Sequence, residues 1–364
     1  MFNTGTFMSA QRQVQYTTQQ ALQSFVSACF GKVGLPEEDA RIIGGIMAEA
    51  ELQGSDGHGV IRVPRYVRRL QAGGINKHPN IRIVQESAST AVVDGDNGMG
   101  HLVMSRAAKI AIEKARATGI GWVGSRLSNH AGPASLYARM PMAEDMIGLY
   151  FAVGNANHMA PWGGLDMLLS TNPIAAAFPG GTEPPIILDM ASTVASYGKV
   201  KVKAKLGESM PEGWMMDKQG QPLLDPKRAE EGLLLPISGH KGYGLSLIIG
   251  LIAGTLNGAA MGKEVIDFNA DDTSTSNTGQ AIIAVNLEAF GGAERFKAAA
   301  DTVARDIRNS KKMPGTDRIW LPGEQSYVKR QRHEREGIPI TTAVIDELQA
   351  LADALGVEMF ERRA

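Results

Sequence analysis

From Gly242 to Gly262 the chain runs 21 residues without a charge, flanked by Lys241 and Lys263. A stretch of that length either crosses a bilayer or forms a buried helix in a soluble core, and the choice governs how the rest of the chain is read. Its content favours the core. It holds six glycines with Ser246, Thr255 and Asn257, and its strongly apolar residues cluster in Leu245 to Ile252. We expect a packed helix and no membrane partner. Gly250, Gly254, Gly258 and Gly262 repeat every fourth residue, a spacing that would line one face of such a helix and admit another backbone, although membrane helix pairs share it.

Composition agrees with a soluble fold. Of 364 residues, 43% are hydrophobic and 21% charged, far from the composition of disordered chains. A chain of this length is expected to form two or more domains. Lys and Arg number 37 against 38 Asp and Glu, a net charge of −1 that gives no electrostatic reason to expect nucleic acid. Cys29 is the single cysteine, which excludes an intramolecular disulfide and a cysteine metal cluster. Met1–Tyr16 is polar and lacks the basic-then-apolar order of a secretory signal, so the expected location is the cytoplasm.

The first third reads as helical: Thr17–Phe30, Glu37–Gln53 started by Pro36, and a short helix from about Pro64 that stops at Gly73-Gly74. Strand-like runs begin at Ile81 and cover Thr90–Asp94, Ile120–Val123, Ile147–Val153, Ile174–Phe178, Pro185–Asp189 and Ala281–Leu287, with a helix over His101–Thr118. Residues 204–236 are broken by glycine and proline and read as a long surface excursion, of the kind that forms lids. Two more helices are expected near Ala293–Lys312 and Thr342–Leu355. Val328–Glu336 reads as a solvated helix face.

One turn invites a nucleotide-binding reading. Thr90–Asp94 is followed by Gly95, Gly98 and Gly100 and then a helix, and Arg126 ends the next strand where it could meet a 2′-phosphate. The spacing then fails, because Val103 stands where the Rossmann fingerprint needs Gly or Ala. A Rossmann-type NADP enzyme stays as an alternative, with an ordinary β-to-helix turn favoured.

Seven histidines are present, none in a metalloprotease spacing, and no metal is expected. His58 sits between Gly57 and Gly59 just ahead of a helix, where a ligand can reach the ring and proton exchange suits an imidazole. Arg62 and Tyr66 follow at four and eight residues, so a helical segment would project all three to one side, with the guanidinium able to clamp a carboxylate. A capping loop with a surface histidine is the plainer reading. His130 lies in a polar turn after a strand. Asp189 emerges at a strand end, where it could meet a ribose, orient an imidazole or cap a helix. His240 and Lys241 open the glycine-rich helix, where free N–H groups and a lysine could hold phosphate.

Taken together, Asp56-Gly-His-Gly-Val, Ser128-Asn-His-Ala-Gly, Thr171-Asn-Pro, Leu188-Asp-Met-Ala-Ser and His240-Lys-Gly-Tyr-Gly-Leu resemble the type-2 malate/L-lactate dehydrogenase family, which includes ureidoglycolate dehydrogenase, diketogulonate reductase, sulfolactate dehydrogenase and piperideine-carboxylate reductase. The resemblance implies a cytoplasmic, homodimeric oxidoreductase that uses NAD or NADP and takes a small carboxylate substrate. It implies an α/β (α+β) fold, with a non-Rossmann cofactor domain on a largely antiparallel sheet over residues 86–299. A helical substrate and dimer domain would come from 14–85 with 300–364. By the same resemblance His58 is the acid/base, Arg62, Tyr66 and Thr171 bind substrate, and His130 and Asp189 join the catalytic set. Leu188, Asp189, Met190, Ala191, Ser192, Thr193, His240, Lys241, Gly323, Glu324 and Gln325 would line the cofactor. The substrate is a 2-hydroxy or 2-oxo acid, or alternatively a cyclic imino acid. Gly57 departs from the family's usual Ser or Thr, and His240 stands where a relative carries an aromatic residue.

Overall fold

The computed structural model describes residues 14–362. Residues 1–13, which include most of the segment read for a secretory signal, lie outside it. In chain order the elements are β1 (Val14–Thr17), α1 (Gln19–Lys32), α2 (Glu37–Leu52), α3 (Val63–Ala72), β2 (Arg82–Glu86), β3 (Thr90–Asp94), α4 (Gly100–Thr118) and β4 (Ile120–Ser128). Next come α5 (Ala134–Ala138), β5 (Met146–Ala152), β6 (Ile174–Phe178), β7 (Ile186–Met190), α6 (Tyr197–Leu206), β8 (Met215–Asp217) and β9 (Gly232–Leu234). The last are α7 (His240–Ala253), β10 (Thr278–Asn286), α8 (Ala293–Asn309), α9 (Glu324–Glu336), β11 (Ile338–Thr341) and α10 (Thr342–Leu355).

The chain divides into two compact units. One combines the segment ending at Val67 with the segment starting at Val328, and the other is Arg68–Tyr327. In the first, Thr18 caps α1 by accepting a hydrogen bond from the Ala21 N–H at 3.1 Å, and Glu37, Glu38 and Asp39 place negative charge at the positive end of α2. Leu22, Phe25, Val26 and Phe30 of α1 and Ile43 and Met47 of α2 are buried. β1 pairs antiparallel with β11, and the Thr17 hydroxyl donates to the Glu361 carbonyl at 2.7 Å, so the two chain segments are joined by backbone pairing. Four-residue strands of this kind carry too little alternation to be read from sequence.

The second unit is built on a seven-stranded sheet in the order β2-β3-β4-β10-β5-β6-β7. Only β3 and β4, linked through α4, run parallel; the other pairings are antiparallel. The unit is therefore mixed α/β on a mostly antiparallel sheet. β4 reaches Ser128, five residues past the expected end, because Gly121 and Gly124 interrupt its apolar alternation without interrupting its pairing.

Two expectations need correction. α7 stops at Ala253, so Gly258 and Gly262 are not on its face; they take φ of +71° and +62° in the turns that follow. Gly250 is the position where close approach matters, since a Cβ there would meet Met261 Sδ at 2.6 Å. Residues 204–236 are likewise not a bare excursion. β8 and β9 pair, and Met210, Met215, Leu223, Ala229 and Leu234 bury one another with Val200 in a small apolar cluster. The glycines and prolines that suggested a loop are the corners of that cluster.

Among the described residues, no helix is long and apolar enough to cross a membrane, and no group of three or more His, Cys, Asp or Glu could hold a metal ion.

Candidate active site

In the first unit, two single 3-10 turns, Asp56–His58 and Val60–Arg62, precede α3. His58 is half-buried as a residue, but its Nδ1 is buried and the ring is closely surrounded by protein. That burial, with the Arg62 guanidinium adding to it, pushes its pKa down to about 4, so the imidazole is neutral near pH 7. Arg62 is drawn across the turn by a 2.8 Å bond from Nε to the Gly57 carbonyl. Tyr66 is fully buried against Phe30, with ring centroids 6.4 Å apart, and burial raises its hydroxyl pKa. The Arg62 guanidinium lies near enough to oppose that shift.

Below this turn lies Glu51, a residue not singled out from the sequence. Its Oε1 accepts the Val60 N–H at 2.7 Å, and a Cβ at Gly59 would overlap the carboxyl. Burial pushes the Glu51 pKa up to about 8, helped by Asp56 and opposed by the Val60 bond. The turn thus rests on a carboxylic acid that is largely protonated near neutrality, and Gly59 is required where the backbone crosses it. At Gly57 nothing lies within 4 Å of a Cβ position, so the side that lacks a side chain is open.

The second unit brings Thr171 and the expected cofactor-lining segments together by backbone pairing, while His130 lies against Phe268 with ring centroids 5.8 Å apart. The Ser192 N–H and hydroxyl both donate to the Thr171 carbonyl at 2.8 Å. Val194 N–H donates to the Leu235 carbonyl at 2.9 Å and Ile237 N–H to the Ser192 carbonyl at 3.0 Å, which leads straight into His240 and Lys241. Ile187 N–H donates to the Pro322 carbonyl at 3.0 Å, and Gly323 packs so closely on β7 that a Cβ would lie 2.6 Å from the Ile187 carbonyl oxygen. Thr171, 188–194, 236–241 and 322–325 are distant in sequence and adjacent in space.

Two carboxylates in this group are committed to protein contacts. Asp189, exposed as a residue at the end of β7, turns its carboxyl onto α5, where Oδ2 accepts the Ser135 N–H at 2.9 Å. Burial of that carboxyl raises its pKa, and the Ser135 bonds oppose the shift. Asp189 lies within β7 and is not the N-cap residue of a helix; its carboxyl meets the first turn of α5 from outside that helix. Glu324 is buried, accepts from Arg318 at 2.5 Å and the Leu321 N–H at 3.1 Å, and pairs with Arg308 at 3.3 Å. Gln325 beside it is exposed.

Three features suit a dinucleotide. α7 has 14 residues, and its N-cap is Gly239, which has no side chain to take the N–H groups at the positive end of the helix dipole. His240 and Lys241 are exposed in that turn. Trp162 lies edge-on to His240 at 6.3 Å and supplies an aromatic surface there. The Gly95–Gly100 turn has no comparable opening. A Cβ at Gly95 would meet the Leu127 carbonyl oxygen at 2.8 Å and one at Gly100 the Asn129 carbonyl oxygen at 2.1 Å, while Arg126 pairs with Asp94 at 3.4 Å.

Comparison with known proteins gives a consistent result. The profile of the malate/L-lactate dehydrogenase family matches residues 17–349. The chain is 41% identical to the malate dehydrogenase of Pyrococcus abyssi over 93% of its own length and 95% of the relative's. It is 38% identical to the L-sulfolactate dehydrogenase of Methanocaldococcus jannaschii, over 90% and 94% respectively. The solved malate dehydrogenase of Pyrococcus horikoshii superposes with a TM-score of 0.88 at 36% identity, covering 99% of this chain and 100% of that one. Matches extend to ureidoglycolate dehydrogenase (NAD(+)) of Escherichia coli, 29% identical over 95% of this chain and 98% of that one. They also reach a Δ1-pyrroline-2-carboxylate/Δ1-piperideine-2-carboxylate reductase of Pseudomonas putida, 34% identical over 92% of this chain and 95% of that one. With nearly its whole length matched in sequence and fold, this chain belongs to the malate/L-lactate dehydrogenase family and is an oxidoreductase.

Proposed function

We propose that the chain interconverts a small 2-hydroxy acid and the corresponding 2-oxo acid, that it works as a homodimer, and that L-malate and L-sulfolactate are the first substrates to try. When bound, the nicotinamide supplies the hydride acceptor or donor at C4. His58, neutral near pH 7, takes the hydroxyl proton in the oxidising direction and returns it in the reducing direction. Arg62 pairs with the substrate carboxylate, and the Nε bond to Gly57 fixes the plane of its guanidinium. Tyr66 backs that arginine. His130 stabilises charge on the substrate oxygen or serves as the alternative acid/base, and Thr171 lines the substrate side of the strand it joins.

For the cofactor, Lys241 and the first turn of α7 hold phosphate, while 188–194 and 323–325 supply backbone and shape. Asp189 and Glu324 contribute position, since their carboxyls serve the protein. We place the cofactor away from the Gly95–Gly100 turn, a reading supported by the backbone oxygens that fill it. Reduction of a cyclic imino acid on the same residues is the second reading, favoured by the Pseudomonas putida relative.

The observation that carries the assignment is the His58 turn, where a neutral imidazole and a tethered arginine share one open loop. His58→Asn should lower kcat by roughly 10²–10⁴-fold with little change in NADH or NADPH binding. Wild-type turnover in that variant would end the assignment. Loss confined to a His130→Asn variant would move the acid/base role there. Assaying L-malate, L-sulfolactate, ureidoglycolate and Δ1-piperideine-2-carboxylate with both cofactors separates the two substrate readings.

A further inference from the structure

We propose that Arg69 is a positioning residue for His130, acting through Phe268 and Ser276; the inference rests on the reading of His130 as a substrate-facing group. Arg69 is 0% exposed and is the largest fully buried side chain among the described residues. Its Nη1 donates to the Asp271 carbonyl. Its Nη2 donates to the carbonyls of Gly74 at 3.1 Å and Ser274 at 2.7 Å and to the Ser276 hydroxyl at 3.2 Å. Its Cζ lies 4.7 Å from the centroid of the Phe268 ring.

Two routes run from this guanidinium to His130. One is a ring contact. Phe268, 2% exposed, lies 5.8 Å from the His130 ring at an interplanar angle of 34°. The other is polar and directional. The Ser276 oxygen accepts from Arg69 and its hydrogen goes to Asn129 Oδ1 at 3.1 Å. Asn129 Nδ2 donates to the carbonyls of Asn97 at 3.1 Å and Gly98 at 2.9 Å, and the Asn129 carbonyl accepts from Gln280 Nε2 at 2.9 Å. The residue before His130 is thereby fixed on every polar group of its side chain, and the imidazole beside it rests against an aromatic ring that Arg69 holds.

The chemistry suits an arginine. Residues 271–276 form a turn whose N–H groups at Thr273 and Ser274 are taken by the Asp271 carboxylate, each at 2.8 Å; the Ser274 side chain and then those N–H bonds hold its pKa well below the usual carboxylate range. The carbonyls of the same turn need donors arranged in a plane, which a guanidinium provides and a lysine or an apolar side chain does not. Burying a guanidinium is a costly way merely to hold a loop. What the arrangement adds is a rigid support that ends at one imidazole.

The test is a mutant cycle on the full-length enzyme with NADH, using whichever of the substrates named above turns over fastest. Phe268→Leu and Arg69→Met should each lower kcat by at least about tenfold, as displacement of a reacting group does, while NADH affinity by fluorescence titration stays within about twofold of wild type. Phe268→Tyr, which keeps the ring, should restore kcat. In a His130→Asn background neither substitution should lower kcat further, because the group they position is gone. Multiplicative losses in the double variants, or wild-type kcat in Phe268→Leu when His130→Asn is impaired, would overturn the inference. Wild-type kcat in His130→Asn would instead overturn the reading of His130 on which it stands. If Arg69→Met does not fold, Phe268→Leu carries the test, since it removes the ring and leaves the Ser276 route intact.

Discussion

Two glycine turns in the second unit lead into helices, and they are built for opposite purposes. At Gly95–Gly100 the absent side chains let one backbone press on another: the carbonyl oxygens of Leu127 and Asn129 occupy the space a Cβ would take. At Ser238–Gly239 the chain takes φ of +50° and +64° to turn out of the bridge between Thr193 and Pro236 and present the start of α7. The first turn satisfies the strand–glycine–helix pattern of a nucleotide site and is filled by protein. The second matches no such pattern and puts two exposed residues, His240 and Lys241, at the start of a helix whose N-cap is a glycine. Glycine in a sequence therefore marks a close approach without saying whether the approaching atom belongs to the protein or to a ligand.

Substitution separates the two cases. Gly100→Ala should cause the largest effect, a loss on the order of 3–5 kcal/mol in unfolding free energy, because the Asn129 backbone must move to admit the methyl group. Thermal denaturation measures this, and a wild-type Tm would break the contrast. Lys241→Ala should leave Tm unchanged and weaken NADH binding by roughly tenfold or more, the worth of a charge-assisted hydrogen bond. Arg126→Ala is its paired control. It removes a half-exposed partner of Asp94 and should cost less than about 1 kcal/mol, leaving the ratio of NADH to NADPH affinity as it was. A collapse of NADPH affinity in Arg126→Ala would return the cofactor to the first turn.

The His58 turn extends the contrast to titration, with a smaller effect. Gly59 is closed by Glu51 and Gly57 is open, so the imidazole is crowded on one side only. Its pKa of about 4 is below the ordinary value of roughly 6.5. The base form is thus present throughout the neutral range, and kcat/KM for hydroxy-acid oxidation should hold steady as pH falls until it drops near pH 4. The reducing direction needs the protonated form and should speed up toward acid. An acid limb near pH 6.5 in the oxidation profile would show that the ring is not buried as described.

Much of this was legible in the chain. α2, α3, α4, α10, β3 and β6 follow from periodicity, caps and glycine stops, and His58 could be singled out because two glycines flank it just ahead of a helix. What escaped reading shares a physical cause: its meaning lies in a partner far away in sequence. β1 is four residues that become a strand only against β11. Glu51 looks like the last acid of an amphipathic helix until the Val60 N–H meets it. Arg69 is one of three arginines in α3, and nothing local says that this one is buried under Asp271 and Ser274. The excess length assigned to the glycine-rich helix has the converse origin, a local period that continued beyond Ala253 after the helix had stopped.

The pairing of β1 with β11 also sets an order of events during synthesis. Thr17 meets Ile338 across about 320 residues, and all of Arg68–Tyr327 lies between them as one uninterrupted segment. At the usual elongation rates of roughly 5–20 residues per second, α1 and α2 wait on the order of half a minute for the strand and helix that complete their unit. The sheet unit can close while still attached to the ribosome. Until the last segment follows, Phe25 lacks the Phe360 ring it packs against at 5.4 Å, and the nascent chain carries that apolar side chain uncovered.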